Sequence, residues 1–530
     1  MRSIEIPQPD ERDWRYRAFE ILPGALTWTI LFLPAGLSLI NQKLAAYFIV
    51  AFLLLWFVRV IGLNIRALQG WRLKEEHQKL DWEKLNQDLE NPDIKPNRTL
   101  AWHIKNLARV SQYIPASQRI APSQIYHAVF IAFYNESRGV VEPTVQSVIN
   151  SNYDLKKLIL ILAYEQRGGP EVETTAKDLV EKYGHYFYHA EAVMHPWPIV
   201  GEIIGKGGNV TYAARWLKSY LEKEKIDSKN VLVTTLDSDN RPHKQYFAVL
   251  TYTYCSTEQP KHASYQPITM YTNNIWDAPA PMRVIATGNS LWNTVLSLRQ
   301  HLLRNFSAHS QSMEALIDTD FWSVRTIVED GHQFWRTWFR YDGHHEVFPI
   351  YVPIYQDVVF TDKYTKTLKM QFIQVRRWAW GASDVAYVAN QGFFKKNHIP
   401  KYKVWAKFLR LLETHVSWAT APLILLLAAL VPFFINPNSY IANQLPQLAS
   451  RLQTLAMTGI LVTLFLSFRS LPPKPARYKR RRTFWMIFQW AYLVPTTIIY
   501  GAFAAIYSQT RLMLGWYLGF VVTEKAVRKD

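Results

Sequence analysis

Apolar residues gather at the two ends of the chain and leave the middle polar. Residues 22–40 and 44–65 are nearly unbroken apolar runs, each close to the ~20 residues with which a helix crosses a bilayer. Pro23 stands at the start of the first, where a missing backbone N–H costs little. Only Asn41, Gln42 and Lys43 separate the runs, so the pair reads as a tight transmembrane hairpin. The alternative is a buried helical hairpin of a soluble protein. Arg12, Arg15 and Arg17 precede the first run and no small-residue cleavage site follows it, which argues against a cleaved signal peptide.

The C-terminal third repeats the pattern at 417–435, 455–468 and 483–507, the last interrupted by Pro495. Segment 436–450 has no Lys or Arg, whereas 469–482 has seven basic residues and no acidic one. Basic loops stay cytoplasmic. This puts 436–450 outside and 469–482 inside, together with the basic N-terminus and the polar middle at about 66–400. The basic tail 523–530 also belongs inside. Residues 483–507 are then either a crossing with a short return through 511–522, or a re-entrant hairpin broken at Pro495, for four to six spans. Ahead of the third run, 401–413 is amphipathic. Trp405, Phe408, Leu409 and Leu412 share one face, with Lys403, Lys407 and Arg410 largely opposite. Such a pattern suits a helix lying under anionic headgroups, or an ordinary surface helix.

After a charged connector at about 70–123, the period changes. Short apolar strands are predicted at 128–133, 158–162, weakly at 186–189, and at 231–236. Helices at 141–150, 171–184 and 209–222 alternate with them. That alternation argues a parallel sheet covered on both faces, with ligands beyond the carboxyl ends of its strands. Asn135, Glu165 and Asp237 fall at such ends.

Composition narrows the classes. A single cysteine, Cys255, excludes an intrachain disulfide framework and a multi-cysteine zinc site. Hydrophobic residues at 49% and charged residues at 19% argue against disorder. Sixty Lys+Arg against 42 Asp+Glu leave a net charge of +18. Much of the excess lies in 469–482, in 401–410 and at the termini, which points to an anionic membrane surface rather than nucleic acid. No Walker A loop, helix-turn-helix or RRM signature is present.

Three motifs carry candidate chemistry. Asp237 and Asp239, at i and i+2 beyond a buried strand, suit a hard divalent ion that also holds a diphosphate; a polar strand-capping turn is the plain alternative. Glu329-Asp330 precedes an aromatic-rich helix at 333–340 and supplies either a cap or a general base. In Gln374-Val375-Arg376-Arg377-Trp378, arginines can pair with phosphate and an indole face can stack on a sugar.

This order of motifs resembles the family 2 glycosyltransferases, in particular the membrane-integrated branch that includes cellulose and hyaluronan synthases. The matching residues are Phe133-Tyr134-Asn135-Glu136, Lys206 with Asn209, Asp237-x-Asp239, Glu329-Asp330 and Gln374-x-x-Arg377-Trp378, with Trp516 and Thr523-Glu524-Lys525 similar to that branch's ending. The resemblance implies an α/β fold, a nucleotide-diphosphate-sugar-binding glycosyltransferase A-type domain. It would be Rossmann-like with a mostly parallel sheet, flanked by transmembrane α-helices. The layout read this way is an N-terminal segment and two-span hairpin at 1–70 and a connector at 71–123. A cytoplasmic transferase domain at 124–395, an interface helix at 396–414 and a C-terminal membrane region at 415–530 follow. The expected location is the bacterial plasma (inner) membrane.

The same resemblance implies an inverting hexosyltransferase using Mg²⁺ or Mn²⁺ and a nucleotide-diphosphate sugar, UDP- or GDP-linked. Asp237 and Asp239 hold the metal. Asn135, Glu136, Glu165, Lys206, Asp237, Arg376 and Arg377 bind the donor, and Asp330 is the general base, kept ionised by neighbouring positive charge. Glu329, Gln374 and Trp378 position the acceptor. The acceptor is a growing polysaccharide or other glycan, or, in the alternative, a lipid such as a polyprenyl phosphate that receives one sugar. A catalytically inactive membrane receptor is the remote alternative. Partners include membrane lipids and an accessory or channel subunit, and no nucleic acid. One departure concerns Ala163-Tyr164-Glu165-Gln166-Arg167, where the family has an Asp-rich element. Here Glu165 offers the carboxylate and Tyr164 a stacking face, and the donor base stays open. Another is the long insert between Asp239 and Glu329, where Trp292 and Trp322 are either acceptor contacts or core. His332, His344 and His345 read as solvated or hydrogen-bonded rather than as a metal cluster.

Overall fold

The computed structural model describes residues 4–94, 100–479 and 481–523. Its centre is one sheet of eight strands: β1 (Tyr126–Phe133), β2 (Leu158–Glu165), β3 (His189–His195), β4 (Val231–Asp237), β5 (Arg241–Pro242), β6 (Ala263–Tyr271), β7 (His309–Ser312) and β8 (Glu346–Gln356). The order across the sheet is β3-β2-β1-β4-β7-β6-β8-β5. The first four are mutually parallel, β7 runs antiparallel between β4 and β6, β8 is parallel to β6, and β5 is antiparallel to β8. The α/β class with a mostly parallel sheet is thus as the alternation predicts. β3 lies later than expected, because 184–186 form a short 3-10 turn and the strand is a half-buried edge with little apolar signal.

β1, β2 and β4 are apolar on both faces because helices cover both. On one side Val129, Ile131, Leu160 and Leu162 pack with Val141, Val145 and Leu179 of the helices Arg138–Ile149 and Pro170–Tyr183. On the other, Phe130, Ile161 and Val233 pack against Val210 and Leu217 of the helix Lys206–Glu224. Each fully buried side chain of this kind contributes about 1.5–3 kcal/mol. The supposed connector joins this core. The helices Trp82–Glu90 and Ala101–Tyr113 bury Trp82, Leu89, Leu107 and Val110 in it. Their helical spacing is masked in the sequence by the charges on the opposite faces.

Among the described residues, four helices are long and apolar enough to cross a membrane: Trp14–Ile40, Gln42–His77, Tyr440–Arg469 and Arg481–Leu514. The first two meet at Asn41, as the short polar break predicts. Residues expected to form a separate interface helix are the first half of one continuous helix, Lys401–Leu427. Val404, Phe408 and Leu412 on its apolar face are covered by Phe19, Leu22 and Trp338, so that face meets protein, leaving Trp405 and Leu409 exposed. The last helix ends where Gly515 takes a left-handed φ of +77°. Residues 516–523 then run without regular structure along the sheet domain, so no helix returns through 511–522. Glu524, Lys525 and the rest of the basic tail lie outside the described residues, as does Arg480 of the basic loop. The loop itself docks on the insert after β6, with Arg477 pairing with Asp277 at 2.9 Å and Trp276 donating to the Pro472 carbonyl at 3.0 Å.

Candidate active site

β4 ends on Asp237 and the chain turns at once: Asn240 N–H donates to the Asp237 carbonyl at 3.0 Å. The two aspartates are therefore the first and third residues of one turn. Lys206 Nζ reaches Asp237 Oδ1 at 2.7 Å and the Ser307 carbonyl at 3.0 Å. Because Lys206 opens its helix, its ammonium and the helix N-terminus add at one point, an arrangement that favours anions. Asp239 is buried; its Oδ2 accepts from the Asp357 N–H at 3.0 Å, and its carbonyl accepts from Asn273 at 2.9 Å. Asp237 and Asp239 offer two hard carboxylates, and no group of three or more metal-ligating side chains occurs among the described residues. Two hard carboxylates are the donor type that fits Mg²⁺ or Mn²⁺, whose remaining ligands would come from a diphosphate and water.

Glu329 and Asp330 form the first turn of the helix Glu329–Arg340 instead of preceding it. Asp330 Oδ1 accepts from Gly331 N–H at 2.7 Å. Burial raises the Asp330 pKa above the usual aspartate value; Gly331, Lys206 and Arg377 oppose the shift and Asp237 adds to it. Burial likewise raises Glu329, and the charge of Asp330 raises it further. In the protein alone, desolvation of the Asp330 carboxyl outweighs the pull of Lys206 and Arg377.

The helix Tyr364–Ala379 brings the third motif. Successive helical residues diverge by about 100°, so the adjacent arginines part company. Arg377 turns toward Asp330, lies 4.7 Å over the Phe520 ring and donates to the Val521 carbonyl at 3.4 Å. Arg376 lies over Tyr507 at 5.6 Å, on the last apolar helix, and does not join the cluster. The Trp378 ring is 6.2 Å from that of Tyr271. Tyr271 is half-buried, and its hydroxyl pKa is raised by desolvation and then by Asp237, Asp239 and Asp330. A crevice lined by Tyr271, Asn289, Asp357, Gln374 and Trp378 opens beside it. Gln374 accepts from Gln371 at 3.2 Å.

At the ends of β1 and β2, Asn135 is exposed. Glu136 Oε2 accepts from the Tyr134 and Asn135 N–H groups, and Oε1 accepts from Ser238 Oγ at 3.1 Å, which ties this loop to the aspartate turn. Glu165 is buried and ion-paired to Arg167, and burial raises its pKa against the pull of that arginine. The guanidinium of Arg167 lies 4.7 Å over Tyr134 and 5.3 Å over Trp197. Tyr164, expected as a stacking face, is in the core, because its side chain leaves β2 on the face that packs with Val172 and Leu179 of the helix Pro170–Tyr183. The rings of Tyr134 and Trp197 flank Arg167 at this strand end. Asn209 donates to the Ala163 carbonyl at 2.9 Å and pins its helix to β2.

Tyr271, Ser307 and Asp357 carry no local sequence signal, since each arrives from a strand end or loop far along the chain. Trp322 is core, donating to His309 at 3.1 Å, and Trp292 is exposed. His332 is buried against Asp384 at 2.7 Å, His345 bonds Ser264 at 3.1 Å, and His344 is exposed.

No protein-family model matches the chain, and no curated protein sequence matches it at a significant level. Solved structures are similar at low identity. A mannosyltransferase from Pyrobaculum calidifontis, in complex with GDP-Man and Mn²⁺, is 14% identical over 83% of this chain and 98% of its own, with a TM-score of 0.37. Residues 1–349 of S. aureus TarS are 8% identical over 74% and 93%, with a TM-score of 0.34. Glucosyl-3-phosphoglycerate synthase from Mycobacterium tuberculosis is 15% identical over 58% and 87%, with a TM-score of 0.29.

Proposed function

We propose that the protein is a membrane-seated, inverting, metal-dependent hexosyltransferase of family 2. It transfers a sugar from a nucleotide-diphosphate donor to a growing glycan at the cytoplasmic leaflet. The observation that carries this reading is the convergence of Lys206, Asp237, Glu329, Asp330 and Arg377, from four distant segments, at the carboxyl end of β4. Beside them lies the crevice with Gln374 and Trp378.

In this reading Asp237 and Asp239 hold Mg²⁺ or Mn²⁺, which when bound offsets the charge of the donor diphosphate. Lys206, at its helix N-terminus, and Arg377 neutralise the charge that grows on the leaving nucleoside diphosphate. Asp330 accepts the proton of the acceptor hydroxyl as that oxygen bonds to the anomeric carbon. The bond from that carbon to the diphosphate breaks on the opposite side, and its electron pair leaves with the nucleoside diphosphate. The raised pKa of Asp330 suits this task, because a base of higher pKa takes a proton more readily as long as it is ionised at the working pH. Trp378 and Tyr271 offer ring faces to the acceptor end, and Glu165, Arg167, Tyr134 and Trp197 surround the nucleoside. Arg376 is assigned no donor contact.

The test is incubation of the purified, reconstituted chain with labelled nucleotide sugars and Mn²⁺. Sugar transfer that Asp330→Asn removes supports the reading. Silence toward every donor, with no hydrolysis of any, sinks it. A product ladder indicates polymer growth, whereas a single extractable glycolipid indicates transfer to a lipid.

A further inference from the structure

Six cationic side chains gather where the Gln42–His77 helix, the turn after the Ala280–Ser297 helix and the Lys401–Leu427 helix meet. On the first, Leu55, Arg59, Gly62 and Arg66 follow at helical spacing and form one stripe. Arg59 reaches across to Glu413 at 2.9 Å, and the other oxygen of that carboxylate is taken by Arg410 at 3.0 Å. Arg66 folds onto the Gly62 carbonyl at 3.0 Å and meets no carboxylate among the described residues. Arg299 faces the same point. Burial and then Arg66, Arg410 and Arg59 press its pKa down, and Glu413 acts against them. Behind it, Arg304 lies 4.0 Å over Phe334 and Lys407 lies 5.3 Å from the same ring. The carboxylates that act on this group are Glu413, shared by two arginines, and Glu346 beside Lys407.

The depth of the cluster says what balances it. Arg59 and Arg66 bracket the end of the apolar run that closes at Ile65, and Leu55 and Val58 beside them are exposed. On the partner helix the apolar half begins just past Glu413. Both helices thus change from apolar to charged at this level, which is headgroup depth for a chain that crosses a bilayer. Guanidinium forks match phosphate oxygens geometrically, and basic pockets between helices at this depth attract anionic lipid headgroups.

We propose that Arg59, Arg66, Arg299 and Arg410 form a binding site for the phosphodiester headgroup of an anionic membrane phospholipid, whose acyl chains lie along Leu55 and Val58. The site rests on membrane embedding of the apolar helices and is independent of the transferase reading. It secures the Gln42–His77 helix against the turn that leads through Arg304 toward the Glu329–Arg340 helix.

The experiment is native mass spectrometry of the full-length chain released from neutral detergent and titrated with dioleoyl phosphatidylglycerol or dioleoyl phosphatidylcholine. Wild type is expected to take up the first phosphatidylglycerol at least tenfold more tightly than phosphatidylcholine. Arg66→Gln with Arg299→Gln should weaken phosphatidylglycerol uptake by up to about 30-fold, a factor of roughly five for each charge near the surface, and so abolish the preference. Glu413→Gln, which frees Arg59 and Arg410, should strengthen it, and this opposite sign keeps the proposal testable if the double variant does not fold. Equal uptake of both lipids by wild type overturns the proposal. So does an unchanged preference in the folded double variant, or a weakened one in Glu413→Gln. Displacement of phosphatidylglycerol by millimolar inorganic phosphate overturns it too, because the ligand is then a soluble anion.

Discussion

Gly207 is the second residue of the helix that Lys206 opens. A methyl group added there would collide with the Ser323 carbonyl oxygen and stand 3.2 Å from Glu329 Cβ. Neither neighbour steps aside cheaply, since one is backbone and the other belongs to the turn that bears Asp330. Ordinary contact near 3.5 Å requires these segments to separate by on the order of 1 Å. Overpacking of that kind costs about 1–3 kcal/mol of stability. A ~1 Å displacement of a base from the phosphates it works beside costs on the order of 100-fold in rate. Gly207→Ala is therefore expected to lose about 100-fold in kcat for sugar transfer while its unfolding temperature falls by a few degrees. Gly288→Ala is the comparator, because nothing lies within 4 Å of the added methyl. Gly208→Ala should fall between them, since the methyl meets the Glu202 carboxylate at 2.6 Å, the movable end of a side chain. Initial rates with a labelled nucleotide sugar and thermal unfolding of the same preparations decide the matter. A Gly207→Ala protein with wild-type kcat, or a Gly288→Ala protein that loses as much, would refute the packing argument.

Asp330→Asn should cost about 10²–10⁴-fold in kcat. In wild type the acid limb of kcat/KM should lie above the ordinary aspartate value of 3.8, with activity lost as pH falls and burial protonates the base; a limb at or below 3.8 refutes this. Because native Glu329 keeps its proton above the pH at which the unfolded chain releases it, its contribution to stability shrinks as pH rises. The unfolding temperature of Glu329→Gln should therefore gain on wild type between about pH 5 and pH 8, measured by scanning across that range. Glu5→Ala should destabilise the protein by roughly 3 kcal/mol, the low end for breaking a buried pair, because Arg336 loses its partner; denaturant unfolding measures the loss. Chelation by EDTA should stop transfer and added Mn²⁺ restore it, whereas Asp239→Asn should not recover on addition of metal.

What the sequence makes legible follows from local periodicity. β1, β2 and β4 are short apolar runs ended by polar turns, and their position needs no tertiary context. The Asn41 break between two apolar helices is as plain. β3 is displaced because a half-buried edge strand has no continuous apolar run. The helices at 82–90 and 101–113 look like a charged connector because each buries only one narrow stripe. Arg376 and Arg377 are equivalent in the sequence, and only the phase of their helix separates the one that faces Asp330 from the one that faces Tyr507. Tyr164 is misjudged for the same kind of reason, since alternation along β2 gives its face but not which helices cover that face.

By itself the sequence determines the α/β middle between apolar ends, the order of the acidic and basic motifs, and the carboxylates available for chemistry. These depend on residue type and spacing along one segment. The tertiary structure alone decides which of them meet and in what environment. Lys206 and Asp237 are 31 positions apart and in contact at 2.7 Å. Asp330 acquires its raised pKa from burial that no local pattern records. Arg59, Arg299 and Arg410 gather around Glu413 only because three helices pack there. Contact and desolvation arise between segments, so they exist only once the chain has folded.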